Sequence, residues 1–170
     1  MSILTQKTIA REIFVEGIGI HTGLNTKMKI LPSSPNSGIV FKRIDIKKNN
    51  LVIPNFKNVC DATLCTTITN QNGVKVSTIE HLMAALYGLG IDNAIIELNN
   101  QEVPIIDGSA KQFIELIKVA GIKTSDTPIK LIKVEKDLRL QEDKKFISIN
   151  KSNVTMDIDF EIKYENALIK

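Results

Sequence analysis

The chain has 170 residues, 43% of them hydrophobic and 24% charged, with 9 glycines and 5 prolines. That balance excludes a disordered polypeptide and calls for a sizeable buried core, in one domain or a domain and a fraction. A net charge of +3 spread along the sequence describes a mildly basic surface that admits anionic ligands, while 5% aromatic content with no Trp argues against a nucleic-acid platform built on stacking.

The opening residues, "MSILTQKTIAREIFVEG", carry charges every few positions and no apolar run long enough for a signal peptide or a membrane span, so the expected location is the cytoplasm. Within them "KTIAREIFVEG" predicts a strand or a strand pair. In "TKMKILP", Met28 and Ile30 alternate with Lys27 and Lys29, a period of two that Pro32 stops. "SGIVFKRID" predicts a further strand after a Ser-Ser-Pro-Asn-Ser-Gly turn cluster, and "CTTITNQNGVKVS" a hairpin turning at Asn72-Gly73. The apolar run of "NAIIELN" predicts a short strand buried on both faces or lying at a sheet centre.

Two helices interrupt the strands. The first is predicted over Thr78 to Tyr87, with Ile79, Leu82, Met83 and Leu86 on one stripe and an end at Gly88 or Gly90. The second runs from Ala110 to Ala120, carries Phe113, Leu116, Ile117 and Ala120, starts after Ser109 and stops at Gly121. "KTSDTP", Lys123 to Pro128, is a polar stretch that marks a linker, so residues 1–126 form one domain and 127–170 open another. "IKLIKVEKDLRLQEDKKFISIN" and "VTMDIDFEIKY" then predict three or four more strands with no helix to cover them. The expected fold is α+β: a two-layer sandwich of a mainly antiparallel sheet with two helices on one face, followed by the opening strands of a second, incomplete sandwich.

Four motifs bear on chemistry. Glu80-His81 opens the first helix, where Ser77 and Glu80 fit a capping box that leaves His81 as a packing residue. The same pair also suits hydrolytic metal chemistry. Neighbours on a helix point about 100° apart, so His81 could hold an ion while Glu80 takes a proton from water. "EGIGIHTG" holds His21 on a glycine-bearing turn but misses the spacing of a phosphate loop. "VPIIDGSAKQF" has Asp107-Gly108 as a turn and Ser109 as a cap, and Asp107 could also orient an imidazole. Cys60 and Cys65, a C-x4-C pair, could join His21 and His81 around zinc, but the spacing lies outside the usual structural zinc patterns.

Taken together, "GIGIHTG", "DATLCTT", "VSTIEHLMAALYGLGIDN" and "VPIIDGSA", in this order and at these spacings, resemble the UDP-3-O-acyl-N-acetylglucosamine deacetylases. These are the zinc enzymes that commit Gram-negative bacteria to lipid A synthesis. The resemblance runs from about Lys7 to the end of the chain. It implies that Glu80 is the general base and His81 a Zn2+ ligand. It also implies that His21, Thr63 and Asp107 lie at or beside the active site, with Lys145 and Tyr164 near the phosphates and uracil of an acylated UDP-sugar substrate.

In the family two similar sandwiches face each other across the active site. The second supplies an HKxxD-type segment with the other two zinc ligands and a further catalytic histidine. This chain has no HKxxD, and its only histidines are His21 and His81. The resemblance therefore implies a fragment, inactive alone, that a separate C-terminal polypeptide could complete. The alternative is a non-catalytic remnant or an interaction module. A nucleic-acid-binding domain lacks support in basic clustering.

Overall fold

The computed structural model describes residues 4–152 and 156–164. It divides into two compact units, Met1–Ile129 and Lys130–Lys170. In the first unit the strand pair expected near the N-terminus is β1 (Thr5–Ile9) and β2 (Ile13–Ile18), and β3 (Asn25–Pro32), β4 (Ile39–Arg43) and β5 (Leu51–Val52) follow. Next come β6 (Val59–Asp61), β7 (Thr67–Thr69) and β8 (Lys75–Val76), then helix α1 (Glu80–Gly88), β9 (Ala94–Leu98), helix α2 (Lys111–Ala120) and β10 (Ile122–Pro128).

The main sheet has the order β2-β3-β9-β4-β5, antiparallel except where β4 runs parallel to β9. Register explains its core. Ile13, Ile30, Ile96, Phe41 and Val52 are successive partners across all five strands and form one inward row. Each is at most 5% exposed. Burying such side chains contributes roughly 1.5–3 kcal/mol each before the entropy of ordering the chain is counted. The outward row on the same register, Phe14, Lys29, Glu97, Lys42 and Leu51, is polar at its centre and closed by the Lys42–Glu97 ion pair at 2.9 Å. The "NAIIELN" segment thus sits at the sheet centre, as β9.

Both helices add their apolar stripes to the same core: Leu82, Ala85 and Leu86 from α1, and Phe113, Ile117 and Ala120 from α2. Helix α1 ends in a Schellman motif. Gly90 N–H donates to Tyr87 O at 2.9 Å and Ile91 N–H to Leu86 O at 2.8 Å, with Gly90 at φ +68°. This is the expected α+β sandwich. The small sheet β6-β7-β8 includes the predicted hairpin, which turns through Gly73 at φ +76°.

Two expectations are corrected. "KTSDTP" is no linker: it lies in β10, which pairs antiparallel with β1, and the Ser125 hydroxyl donates to Gln6 O at 3.0 Å. An edge ladder is held by backbone bonds, so a polar sequence with no apolar alternation can still be a strand. Of the second unit's expected strands, β11 (Leu138–Glu142) and β12 (Lys145–Ile149) form an antiparallel hairpin, with the Arg139 guanidinium 4.0 Å above the Phe146 ring. The strand expected in "VTMDIDFEIKY" begins outside the described residues, and residues 156–164 carry none. An alternating pattern favours a strand but becomes one only by joining a ladder. No described residue of the second unit is buried.

Candidate active site

A cleft of about 580 Å³ opens where the β2–β3 turn meets the β6–β7 loop; His21, Thr22, Asp61, Thr63 and Cys65 line it, with Ser77 and Gln101 beside them. The loop is internally braced. Asp61 Oδ1 accepts from Thr63 N at 2.9 Å and from Thr63 Oγ1 at 2.8 Å. Those bonds from Thr63 hold the Asp61 carboxyl below its ordinary value. The free thiols of Cys60 and Cys65 both lie 3.6 Å from Thr67, one at its carbonyl and the other at its hydroxyl.

The capping box expected at Ser77 and Glu80 does not form. Ser77 is tied into an extended bridge with Glu102. Its N–H donates to Gln101 O at 2.8 Å and its carbonyl accepts from Val103 N at 3.1 Å. A residue held in that ladder cannot also cap a helix, so the chain reverses at Thr78, with φ +58°, and Ile79 becomes the N-cap without any side-chain bond. Glu80 is thereby released from capping. Its Oε2 accepts the Thr66 amide at 3.0 Å, which ties the first turn of α1 to the loop that borders the cleft. A β-branched residue in the left-handed region is an outlier that persists only where its surroundings fix it. Ile106, at φ +54°, is a second one, directly before Asp107.

Glu102 was not singled out from the sequence. It is a fully buried carboxylate, 0% exposed. Oε1 accepts from His21 N at 3.0 Å and Thr78 Oγ1 at 2.9 Å, and Oε2 from Thr22 N at 2.8 Å. Burial pushes its pKa up, but the donors from His21, Thr22 and Thr78 outweigh burial and leave it below the ordinary value. Gly19 is required beside it, because a Cβ there would overlap the Glu102 carboxylate and the Thr22 hydroxyl. The available signal was a lone acidic residue heading the apolar run "VPII".

The structure thus brings His21 and Thr63 into one cleft and holds Glu80 against its bordering loop at Thr66. His81 is half-buried in the first turn of α1. Asp107 is exposed in the loop before α2, where its Oδ1 accepts from Ser109 N and Ser109 Oγ, both at 3.0 Å; it does not line the cleft. Ser109 Oγ in turn accepts Lys111 N at 3.1 Å, although Ala110 is the N-cap of α2. Lys145 lies exposed on β12 and Tyr164 is exposed, both in the second unit. Among the described residues no three His, Cys, Asp or Glu side chains gather as a metal site, and no helix is long and apolar enough to cross a membrane.

Fold and cleft together define an α+β sandwich domain that sets a helix-borne carboxylate beside a polar cleft with a histidine-bearing turn. The family described as UDP-3-O-acyl N-acetylglycosamine deacetylase (LpxC) matches residues 6–170. The chain belongs to that family. It is 42% identical over 166 residues to the UDP-3-O-acyl-N-acetylglucosamine deacetylase of Nautilia profundicola, covering 98% of this chain and 56% of that protein. The enzymes of the same name from Wigglesworthia glossinidia brevipalpis and Haemophilus ducreyi are 39% and 37% identical, again over 98% of this chain and 56% and 55% of theirs. The chain spans about half the length of the curated relatives it matches.

Proposed function

We propose that these residues form part of an enzyme that hydrolyses the N-acetyl group of UDP-3-O-acyl-N-acetylglucosamine, releasing acetate and a free 2-amino group, in lipid A biosynthesis. The observation that carries the reading is the placement of Glu80. It is freed from capping and held by one oxygen on Thr66, and its other oxygen has no hydrogen-bond partner among the described residues. A carboxylate anchored in this way can accept a proton from an attacking water in a fixed direction. The family match and the names of the relatives support the substrate class. His21 and Thr63 are proposed to border the reacting group, Asp107 to stand beside the cleft, and Lys145 and Tyr164 to contact the nucleotide.

Zinc is the ion that the family implies. A catalytic zinc site uses three protein ligands; the family resemblance assigns one of them, His81, and among the described residues no three His, Cys, Asp or Glu side chains gather to hold an ion. The neighbouring carboxylate, Glu80, is already engaged by Thr66. The described residues therefore do not make a complete zinc site, and no step is assigned to the ion from them. We propose that the remaining ligands lie outside residues 1–170, on the same polypeptide or a separate one, and that residues 1–170 alone neither hold zinc tightly nor turn over substrate. Exposed Phe146, Ile158 and Phe160 in the second unit suit contact with such a further segment.

The test is metal analysis with an acetate-release assay, on the 170-residue protein and on a polypeptide extended to the length of its relatives. Activity in the extended protein that E80Q abolishes is the expected result. Zinc-dependent turnover by residues 1–170, or unchanged turnover in E80Q, overturns it.

A further inference from the structure

The "GIGIHTG" turn and the entry to α1 are distant in sequence, yet one side chain joins them. Glu102 reaches His21 and Thr22 across 81 and 80 residues, and Thr78 across 24. Three features set it apart from an ordinary satisfied core acid. First, all its bonds are received from donors, two backbone amides and a hydroxyl. An ionised carboxylate, which has only acceptors, satisfies that arrangement; an amide or a protonated acid would turn a hydrogen towards a donor. Second, its partners are not neutral scaffold. His21 and Thr22 line the cleft, and Thr78 is the left-handed residue two positions before Glu80. Third, Gly19 leaves no side chain where the carboxylate must pass.

We infer that Glu102 is a positioning residue that clamps the His21–Thr22 turn to the Thr78 hinge, so that the cleft lining and the helix bearing Glu80 are presented as one rigid piece. It touches no substrate, because it is fully buried. Its effect passes through Thr78, whose left-handed conformation launches α1, and through the two amides that fix the turn. The clamp stands on geometry alone; that it serves acetamide hydrolysis rests on the function proposed above.

The experiment uses E102Q and T78V in the 170-residue protein, with residue-resolved amide hydrogen exchange. The amides of His21 and Thr22 are compared with that of Ile96 at the sheet centre. In E102Q, loss of a charge-assisted bond should speed exchange at His21 or Thr22 by about tenfold or more relative to Ile96. T78V touches neither amide but removes one of the clamp's three partners, and it should speed the same two amides severalfold relative to Ile96. Rates at His21 and Thr22 that merely track Ile96 in both variants overturn the clamp. Should E102Q fail to fold, T78V alone decides.

In a catalytically active extended polypeptide, E102Q should lower kcat by about tenfold or more with little change in KM, as expected when an unmoved binding surface carries a displaced catalytic group. Released amides with unchanged kcat would overturn the link to catalysis. A wild-type extended protein that releases no acetate would overturn the deacetylase reading, and the exchange rates would still judge the clamp.

Discussion

The Glu80 carboxylate accepts the Thr66 amide at 3.0 Å, so the first turn of α1 is fastened to the β6–β7 loop and not to its own N-terminus. This sorts two roles that a single substitution can separate. In E80Q the amide oxygen can still accept from Thr66, so stability should stay within about 0.5 kcal/mol of wild type. E80A loses the acceptor and leaves the Thr66 N–H unpaired in a half-buried place, which should cost about 1–2 kcal/mol. Urea unfolding of the two variants reads this difference directly. Equal destabilisation of both would mean that the bond contributes nothing.

Much of the fold was legible because its code is local. Alternation in "TKMKILP" placed Met28 and Ile30 inside, and the stripe from Leu82 to Leu86 placed α1 on the core. What escaped was set by distant partners. Ser77 and Glu80 have the spacing of a capping box, yet a bridge to Glu102 removed Ser77 from the helix. Strand β10 carries no apolar signal because its partner, β1, binds it through the backbone. For the candidate site, the motifs named His21, Thr63 and Glu80, whose side chains carry obvious chemistry. They could not name Glu102, because a buried acid has meaning only through the donors that surround it.

Acid should reveal Glu102. Its folded pKa lies below the unfolded value of 4.5. A depressed carboxyl contributes stability that is present above the unfolded pKa and is lost as pH falls through the folded one. Asp45, held low mainly by its hydrogen bond with Arg43, titrates with the same sign, so the wild-type profile alone does not isolate Glu102. The gap in melting temperature between wild type and E102Q does. It should be largest near neutral pH and should shrink as the pH drops below the ordinary carboxyl range. A gap that stays constant to low pH would show that Glu102 is not ionised in the folded protein.

Two glycines offer a matched pair. A Cβ at Gly19 would overlap the Glu102 carboxylate and the Thr22 hydroxyl, whereas one at Gly88, in the last turn of α1, meets nothing within 4 Å. Overpacking a fixed polar cluster costs about 1–3 kcal/mol, so G19A should be destabilised by that amount and should loosen the His21 turn. G88A fills open space in a helix and should be neutral or stabilising by up to about 1 kcal/mol. Thermal melts of the two single variants test the contrast, and a G19A protein as stable as wild type would mean that the carboxylate can move aside.

Strand β10 sets where the first unit can be cut. Its ladder with β1 runs from Ile9↔Ile122 to Thr5↔Pro128, and Ile129 N–H adds a bond to Leu4 O at 3.0 Å. Arg11 reinforces the start of this region by donating to the carbonyls of Val119 and Ala120. Ending the chain at Gly121 would strip β1 of this partner, although β1 contributes the fully buried Ile9 and its Lys7 amide anchors Asp92 at 2.7 Å. Residues 1–129 should therefore fold alone with a cooperative urea transition. Residues 1–121 should be less stable by several kcal/mol, since a whole ladder and the ordering of β1 are lost together. Residues 130–170, with no described residue buried, should be removed first by dilute protease in the full chain. Equal stability of the two shortened chains would show that β1 holds its place without β10, and early cleavage within residues 1–129 would place the weak point in the wrong unit.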